Sequence, residues 1–318
     1  MNKNKCLINN ALILLFVFTG FSAIAQEPEF SIPDLKTHYI KSKFVDQEFK
    51  ILVSMPVIHD GESERFPVLY CPDANFFYPR DITSLLQGGG EVPRFILVGI
   101  GYPGKHFLSS FNLRARDLTP VEGVIPMPSP ETFVRDVHVP KDKKYGGAQE
   151  FLKFIRQELI PFIDENYPTL TGDRGYFGHS FGGLFGLFVL FNKPDTFNKY
   201  IIGSPGTRWG NEYIIKQAEN YVANHDELNA SVFMSVGALE VVGADTSLVT
   251  NVFRIERILK QKKLKGLELS ARVFPDETHL SVGYMNYIHG IKAVYGQPEV
   301  FFLQEFLEKL ATESQKKQ

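Results

Sequence analysis

Cysteine is almost missing from this chain. Of the two present, Cys6 lies near the N-terminus and Cys71 in the apolar stretch "FPVLYCPD". A disulfide framework is excluded on that count, even for an oxidising compartment. Cys71 is expected to be a buried, inert thiol. A charge excess is missing too: 34 Lys and Arg against 36 Asp and Glu leave a formal charge of −2. Without a basic stripe, nucleic acid is not an expected partner. No cluster of His, Cys and Asp has metal-ligand spacing, so neither a metal nor an organic cofactor is expected. Internal repeats and low-complexity segments are lacking as well.

Long apolar runs are scarce. The first is "ALILLFVFTGFSAIA", ending at Ala25. It is shorter than the roughly 20 residues of a membrane-spanning helix. It follows Lys3 and Lys5 and ends in Ala-x-Ala, so residues 1–25 read as a cleavable signal peptide. The mature chain is then expected to start at Gln26, to be periplasmic or secreted, and to have no stable membrane insertion. No cysteine follows the run to carry a lipid. Residues 26–318 suit one large α/β domain. Nothing in the pattern fixes an oligomeric state.

What the chain does have is alternation of apolar strands with helical segments. "FKILVSMP" reads as a strand on an amphipathic sheet. "FPVLYCPD" and "RFILVGIG" are continuous apolar runs, as central strands covered on both faces require. "KYIIGSP", "SVFMSVG" and "LELSARVFP" read as further strands. "AQEFLKFIRQELIPFIDENY" has Phe151, Ile155, Leu159, Phe162 and Ile163 at helical spacing, with a kink expected at Pro161. "TSLVTNVFRIERILKQKKLKG" reads as a helix ended by Gly266, and "PEVFFLQEFLEKLATE" as a closing helix. This order predicts a mostly parallel central sheet with helices on both faces. Residues 105–147 show no sustained period and are rich in Pro, Gly, Arg and Asp, so a long lid-like loop is expected there.

The stretch "GHSFGG", residues 178–183, places one serine among glycines between a short strand and an apolar helix. G-x-S-x-G alone arises by chance in on the order of one chain in ten of this length. Its setting, strand then turn then helix, is that of a nucleophile elbow with Ser180 at the apex. A serine hydroxyl needs a histidine to take its proton, and the histidine needs a carboxylate to fix its tautomer. In this kind of sheet the chain order is serine, acid, histidine.

Downstream histidines are few. His225 lies at a polar helix end and His289 near the C-terminal turns. His279, in "FPDETHLSV", follows the last strong strand and is the expected base. Glu240 ends the penultimate strand segment and is the expected acid. Asp245 is the reserve, with capping of the next helix as its other reading. Asp276 and Glu277 read as loop charges, and His179 as a packing or hydrogen-bonding neighbour. The oxyanion hole is expected to use the Phe181 N–H and a second N–H from the loop at Asp73, Ala74 and Asn75. Arg114, Arg116 and Arg135 are candidates to bind an anionic substrate, or else ordinary solvated charges.

Taken together, these segments resemble the esterase D and enterochelin (siderophore) esterase-like family of the α/β-hydrolase superfamily. The stretch "GHSFGGLFGLFVLFNKPDTFNKYIIGSPGTRW" carries most of that likeness. "GIGYPG", "RARDLTP", "SVGALE" and "ETHLSV" add to it, and Ala74 stands where the family carries glycine. The resemblance implies an α/β-hydrolase fold and a Ser180, Glu240, His279 triad acting on a small-molecule ester. It points toward siderophore trilactones, with short-acyl and carbohydrate-linked esters equally open. An acyltransferase on the same scaffold and a non-catalytic ligand-binding protein are the competing readings.

Overall fold

Along the strand "FPVLYC", Val68 and Tyr70 face one apolar cluster while Leu69 and Cys71 face another. A strand buried on both sides needs this unbroken apolar run, because successive side chains point to opposite faces. The computed structural model describes residues 35–56, 64–104, 107–123, 145–241 and 245–296. The signal-peptide reading, the Gln26 start, Arg135 and the closing helix after residue 297 lie outside these residues.

Among the described residues the strands are β1 (Leu35–Lys41), β2 (Glu48–Ser54), β3 (Phe66–Cys71), β4 (Ile96–Gly101), β5 (Thr169–His179), β6 (Lys199–Gly203), β7 (Glu227–Gly237) and β8 (Lys265–Phe274). They form one sheet in the order β1-β2-β4-β3-β5-β6-β7-β8. β2 runs antiparallel to both β1 and β4, and the remaining neighbours pair in parallel. Chain order reverses at β3, so the carboxyl ends of β3, β4 and β5 open a crevice where such sheets bind ligands.

Helices cover both faces. α1 (Arg80–Gly88) and α8 (Val282–Tyr295) lie against one side, where Leu86, Tyr287 and Ile291 meet Leu69, Phe177 and Ile201. The other side carries α2 (Phe107–Leu118), α3 (Ala148–Phe154), α4 (Ile160–Asn166), α5 (Phe181–Asn192), α6 (Trp209–Asn224) and α7 (Ser247–Lys262). α5 is buried along nearly its whole length, as its all-apolar sequence demands. No described helix is long and apolar enough to cross a membrane.

Two expectations are corrected and a third takes a particular form. Within 105–147, residues 107–118 are not irregular but form α2, twelve residues long, while residues 105–106 and 124–144 of the expected loop lie outside the described residues. At the kink expected at Pro161 the helical ladder opens into a π-helical turn, Ile155–Leu159, which runs directly into α4 with the proline as its second residue. α7 is stopped by the residue after it, Lys263, which adopts the left-handed conformation (φ 55°), while Gly266 (φ 77°) already belongs to β8.

Candidate active site

Ser180 is the residue between β5 and α5, and its backbone is strained at φ 62°, ψ −118°. Left-handed φ is unfavourable for any residue with a Cβ and persists only where the surroundings enforce it. The enforcement is visible. The Ser180 N–H donates to Gly203 O at 2.9 Å, and its carbonyl accepts from Leu184 and Gly206 N–H at 3.0 and 3.1 Å. Tyr176 Oη donates to Gly182 O at 2.7 Å. A Cβ on Gly178 would fall 2.3 Å from Gly182 O, so the turn can close only over glycine there. The first bond of the α5 ladder runs from Leu184 back to Ser180. The N–H groups of Phe181, Gly182 and Gly183 therefore precede it, as at any helix N-terminus.

Glu240 sits in the turn after β7, with its side chain wholly buried, and His279 sits in the loop after β8, with 39% of its side chain exposed. Glu240 Oε2 lies 2.5 Å from His279 Nδ1. Glu240 Oε1 accepts from Ser204 Oγ at 2.6 Å and from the Gly237 N–H at 2.7 Å. A carboxylate taken out of water is tolerable only with its acceptor sites filled in this way. The Nδ1 contact leaves the other ring nitrogen of His279 as the one that can exchange a proton with substrate. The turn is tied to the histidine loop, because the Leu239 N–H donates to Glu277 O at 3.0 Å.

Asp245 is not at the base. It is an exposed residue that accepts from the Ser247 N–H at 2.8 Å at the start of α7 and pairs with Arg208. The Ser247 hydrogen bonds, aided by Arg208, hold its carboxyl down at about 2. His289, placed among turns by the sequence, is on α8 beside Arg272.

Behind the pair lies a buried polar chain, in which His179 is the hydrogen-bonding neighbour expected from the sequence while Ser204, Ser235 and Asn286 were missed. Asn286 on α8 is fully buried. Its Oδ1 accepts from Ser235 Oγ at 2.6 Å, and its Nδ2 donates to His179 Nδ1 at 3.1 Å and to Ser204 Oγ at 3.5 Å. The network assigns the His179 proton to Nε2. The His179 ring lies 4.8 Å from that of His279. Burial, then the neighbouring His279, pushes the His179 pKa well below its ordinary 6.5. The serine at the end of the buried strand "KYIIGS" was the available sequence signal, since carboxyl ends of strands are where such sheets place their polar groups.

The loop after β3 alters the oxyanion expectation. The Ala74 N–H donates to Ile100 O at 3.0 Å and is spent. The Asn75 side chain is turned to β4: its Oδ1 accepts from the Tyr102 N–H at 2.6 Å and its Nδ2 donates to Tyr102 O at 2.9 Å. The Phe76 and Phe77 N–H groups both donate to Asp73 O. Among the described residues, the Asp73 N–H enters no backbone bond. Asp73 is strained in turn, at φ 63°.

The arginines differ from expectation as well. Arg114 is buried on α2 and grips Asp73 with both ends of its fork, Nε to Oδ1 at 2.7 Å and Nη2 to Oδ2 at 2.8 Å. Arg116 is bound to the buried Asp117 at 2.6 and 3.0 Å, and Asp117 also accepts from Tyr102 Oη at 2.8 Å. Neither is a solvated loop charge. Among the described residues, no group of three or more His, Cys, Asp or Glu is gathered as for a metal ion.

The sheet order and the strained serine between β5 and α5 define an α/β-hydrolase. Residues 117–278, half of the chain, match the model of the family described as "Putative esterase". The chain belongs to that family and is a carboxylic ester hydrolase. Ferri-bacillibactin esterase BesA of Bacillus subtilis is 29% identical over 261 residues, which is 80% of this chain and 86% of that protein. The siderophore triacetylfusarinine C esterase of Aspergillus fumigatus is 30% identical over 225 residues, 66% of this chain and 69% of that one. The solved structure of the BES protein from Bacillus cereus matches with a TM-score of 0.71 at 26% identity, over 86% of this chain and 100% of its own.

Proposed function

We propose that this chain is an exported serine esterase that opens siderophore lactones through an acyl-enzyme, with Ser180, His279 and Glu240 as its triad. The observation that carries the reading is the 2.5 Å Glu240–His279 hydrogen bond, with the His279 ring 4.8 Å from that of His179, the residue before the strained Ser180. Ser180 Oγ attacks the ester carbonyl as His279 takes its proton on Nε2. Glu240 holds the imidazole through Nδ1 and balances the imidazolium charge. The carbonyl oxygen becomes an oxyanion, which the Phe181 and Asp73 N–H groups receive. Collapse expels the alcohol with the proton from His279. Water, deprotonated by His279, then cleaves the acyl-enzyme and restores Ser180. Export rests on the basic, apolar and Ala-x-Ala order of residues 1–25. The siderophore substrate rests on the names of the relatives.

The test is a hydrolysis screen that sets aryl esters of graded acyl length beside a catecholate trilactone, ferric and iron-free. Turnover of the trilactone at a kcat/KM above that of the aryl esters is the expected result. Aryl ester turnover with an inert trilactone would remove the substrate assignment. Trapping by added alcohol acceptors in preference to water would move the chain to acyl transfer.

A further inference from the structure

The two residues whose N–H groups are the oxyanion donors named above, Asp73 and Phe181, are held through their side chains by a single third residue. The Arg114 guanidinium binds the Asp73 carboxylate at 2.7 and 2.8 Å and lies over the Phe181 ring, 5.1 Å from its centroid. The side chains of Arg114 and Asp73 are only 7% and 11% exposed. We propose that Arg114 is a positioning residue for ester hydrolysis, which sets the distance between the two halves of the oxyanion hole; this rests on the Ser180 reading above.

The two halves come from different elements. Asp73 belongs to the loop after β3 and Phe181 opens α5, and no covalent connection shorter than a hundred residues joins them. They do pack closely: a Cβ on Gly182 would lie 3.5 Å from Pro72 Cγ and 3.6 Å from Asp73 Oδ2. Packing alone does not fix the direction of a backbone N–H, and Asp73 is held at φ 63°, a left-handed value uncommon for a residue with a Cβ. A bidentate fork fixes a carboxylate in both position and plane. The same planar cation lying over a ring face orients Phe181. The Phe181 ring also meets Trp209, at 5.2 Å and near perpendicular.

Stability is a poor reason for this arrangement. Burying an ion pair costs desolvation that its attraction barely repays, and an apolar pair of similar volume serves a core at least as well. Geometry is the better reason, because a donor about 1 Å out of place loses most of its worth to a developing oxyanion. α2 itself is anchored for the task. Its Asp117 is held by Arg116 and by Tyr102, whose backbone is in turn held by Asn75 of the loop after β3. Arg114 thus faces the loop from a helix that is itself fastened to the end of β4.

The test uses the full mature chain with an aryl ester. Arg114→Ala, Arg114→Lys and Asp73→Asn are compared for kcat, KM, inhibition by an alkyl boronic acid and inhibition by the product carboxylate. A boronate on Ser180 places an oxygen in the oxyanion hole, whereas the product carboxylate reports ground-state binding. The expected result is a fall in kcat of about 100- to 1,000-fold, a boronate Ki raised in parallel, and KM and carboxylate Ki within about threefold. Guanidinium ion at low millimolar concentration should restore part of the Arg114→Ala loss. If Arg114→Ala does not fold, Asp73→Asn decides, since it keeps the backbone and shape while removing one charge of the pair. Wild-type kcat in a folded Asp73→Asn or Arg114→Lys, or equal losses in boronate and carboxylate binding, overturns the proposal. Ser180→Ala separates the two readings: if it is dead while these variants are normal, only the clamp fails, and if it remains active the triad fails first.

Discussion

Glu240 Oε2 stands 2.5 Å from His279 Nδ1 while its other oxygen is filled by Ser204 and Gly237, so both carboxylate oxygens are committed inside the protein. Asp245, five residues on, instead binds Ser247 and Arg208 at the surface. Glu240→Gln should therefore cut kcat by about 100- to 10,000-fold, the range expected when a base loses the charge that orients it. Asp245→Asn should leave kcat within about threefold, a surface-substitution effect, and lower Tm only slightly. Steady-state kinetics on one aryl ester measures both. A larger loss for Asp245→Asn would assign the acid role to that residue.

Ser180 stores backbone strain that its hydroxyl does not relieve. At φ 62° an alanine is as strained as the serine, whereas glycine is not. Ser180→Ala and Ser180→Gly should both lose nearly all turnover, by about 10⁴- to 10⁶-fold. Their stabilities should differ: the glycine variant should be more stable than the alanine variant by about 1 kcal/mol, once glycine's unfolded-chain entropy is subtracted from a strain of about 1–3 kcal/mol. Thermal melts of the two inactive proteins read this directly. Equal Tm values would mean the turn is not strained.

The His179 pKa is pushed well below 6.5 by burial and by His279. The unfolded chain takes up a proton at this residue as pH falls through about 6.5, and the folded chain does not. The stability due to neutral His179 is thus fully present above that pH and declines below it, with a slope approaching about 1.4 kcal/mol per pH unit. His179→Gln, which keeps an acceptor for Asn286, should be flatter between pH 6.5 and the folded-state titration than the wild type. Urea unfolding at three pH values measures the slopes. Parallel slopes would show that His179 titrates alike in both states.

The elbow was legible in the sequence because its constraints are local. A short strand, a serine between small residues and an apolar helix leave one arrangement that closes. Glu240 and His279 were legible because each follows a strand of the parallel run, β7 and β8, and the carboxyl ends of such strands collect at one edge of the sheet. α2 was not legible. Its buried face includes Ser110, Arg114 and Asp117, so the apolar period that signals a helix is broken by polar residues, of which Arg114 pairs across to Asp73 and Asp117 to Tyr102. Strand β1 escaped notice because it is an edge strand with little buried surface. The direction of the Ala74 N–H depends on Ile100, a partner 26 positions away that only the folded sheet brings near. Gly266 looked like a helix stop, yet the left-handed stop is Lys263. Gly266 is needed instead because a Cβ there would fall 2.0 Å from the Asn229 side chain.

Exposed apolar side chains flank the acid and the base. Leu239 (54% exposed) and Val241 (44%) bracket Glu240, and Leu280 (54%) follows His279. Tyr284, 53% exposed and one turn into α8, packs edge-on to Phe77 at 4.9 Å, and Phe77 belongs to the loop after β3. Single exposed apolar residues need no explanation, but several adjoining the acid and the base are where an ester's apolar part is expected to rest if the triad reading holds. Contacts made there are equally good before and during the reaction, so they lower KM without raising kcat. Leu280→Ser and Leu239→Ser should raise KM for long-acyl or aryl esters by about 3- to 20-fold, the worth of one or two buried methylene groups. The kcat should stay within about twofold, and acetate esters, too short to reach these side chains, should be almost unaffected. Kinetics across an acyl-length series tests this. A fall in kcat that is equal for short and long esters would mean that these side chains shape the His279 loop and do not bind substrate.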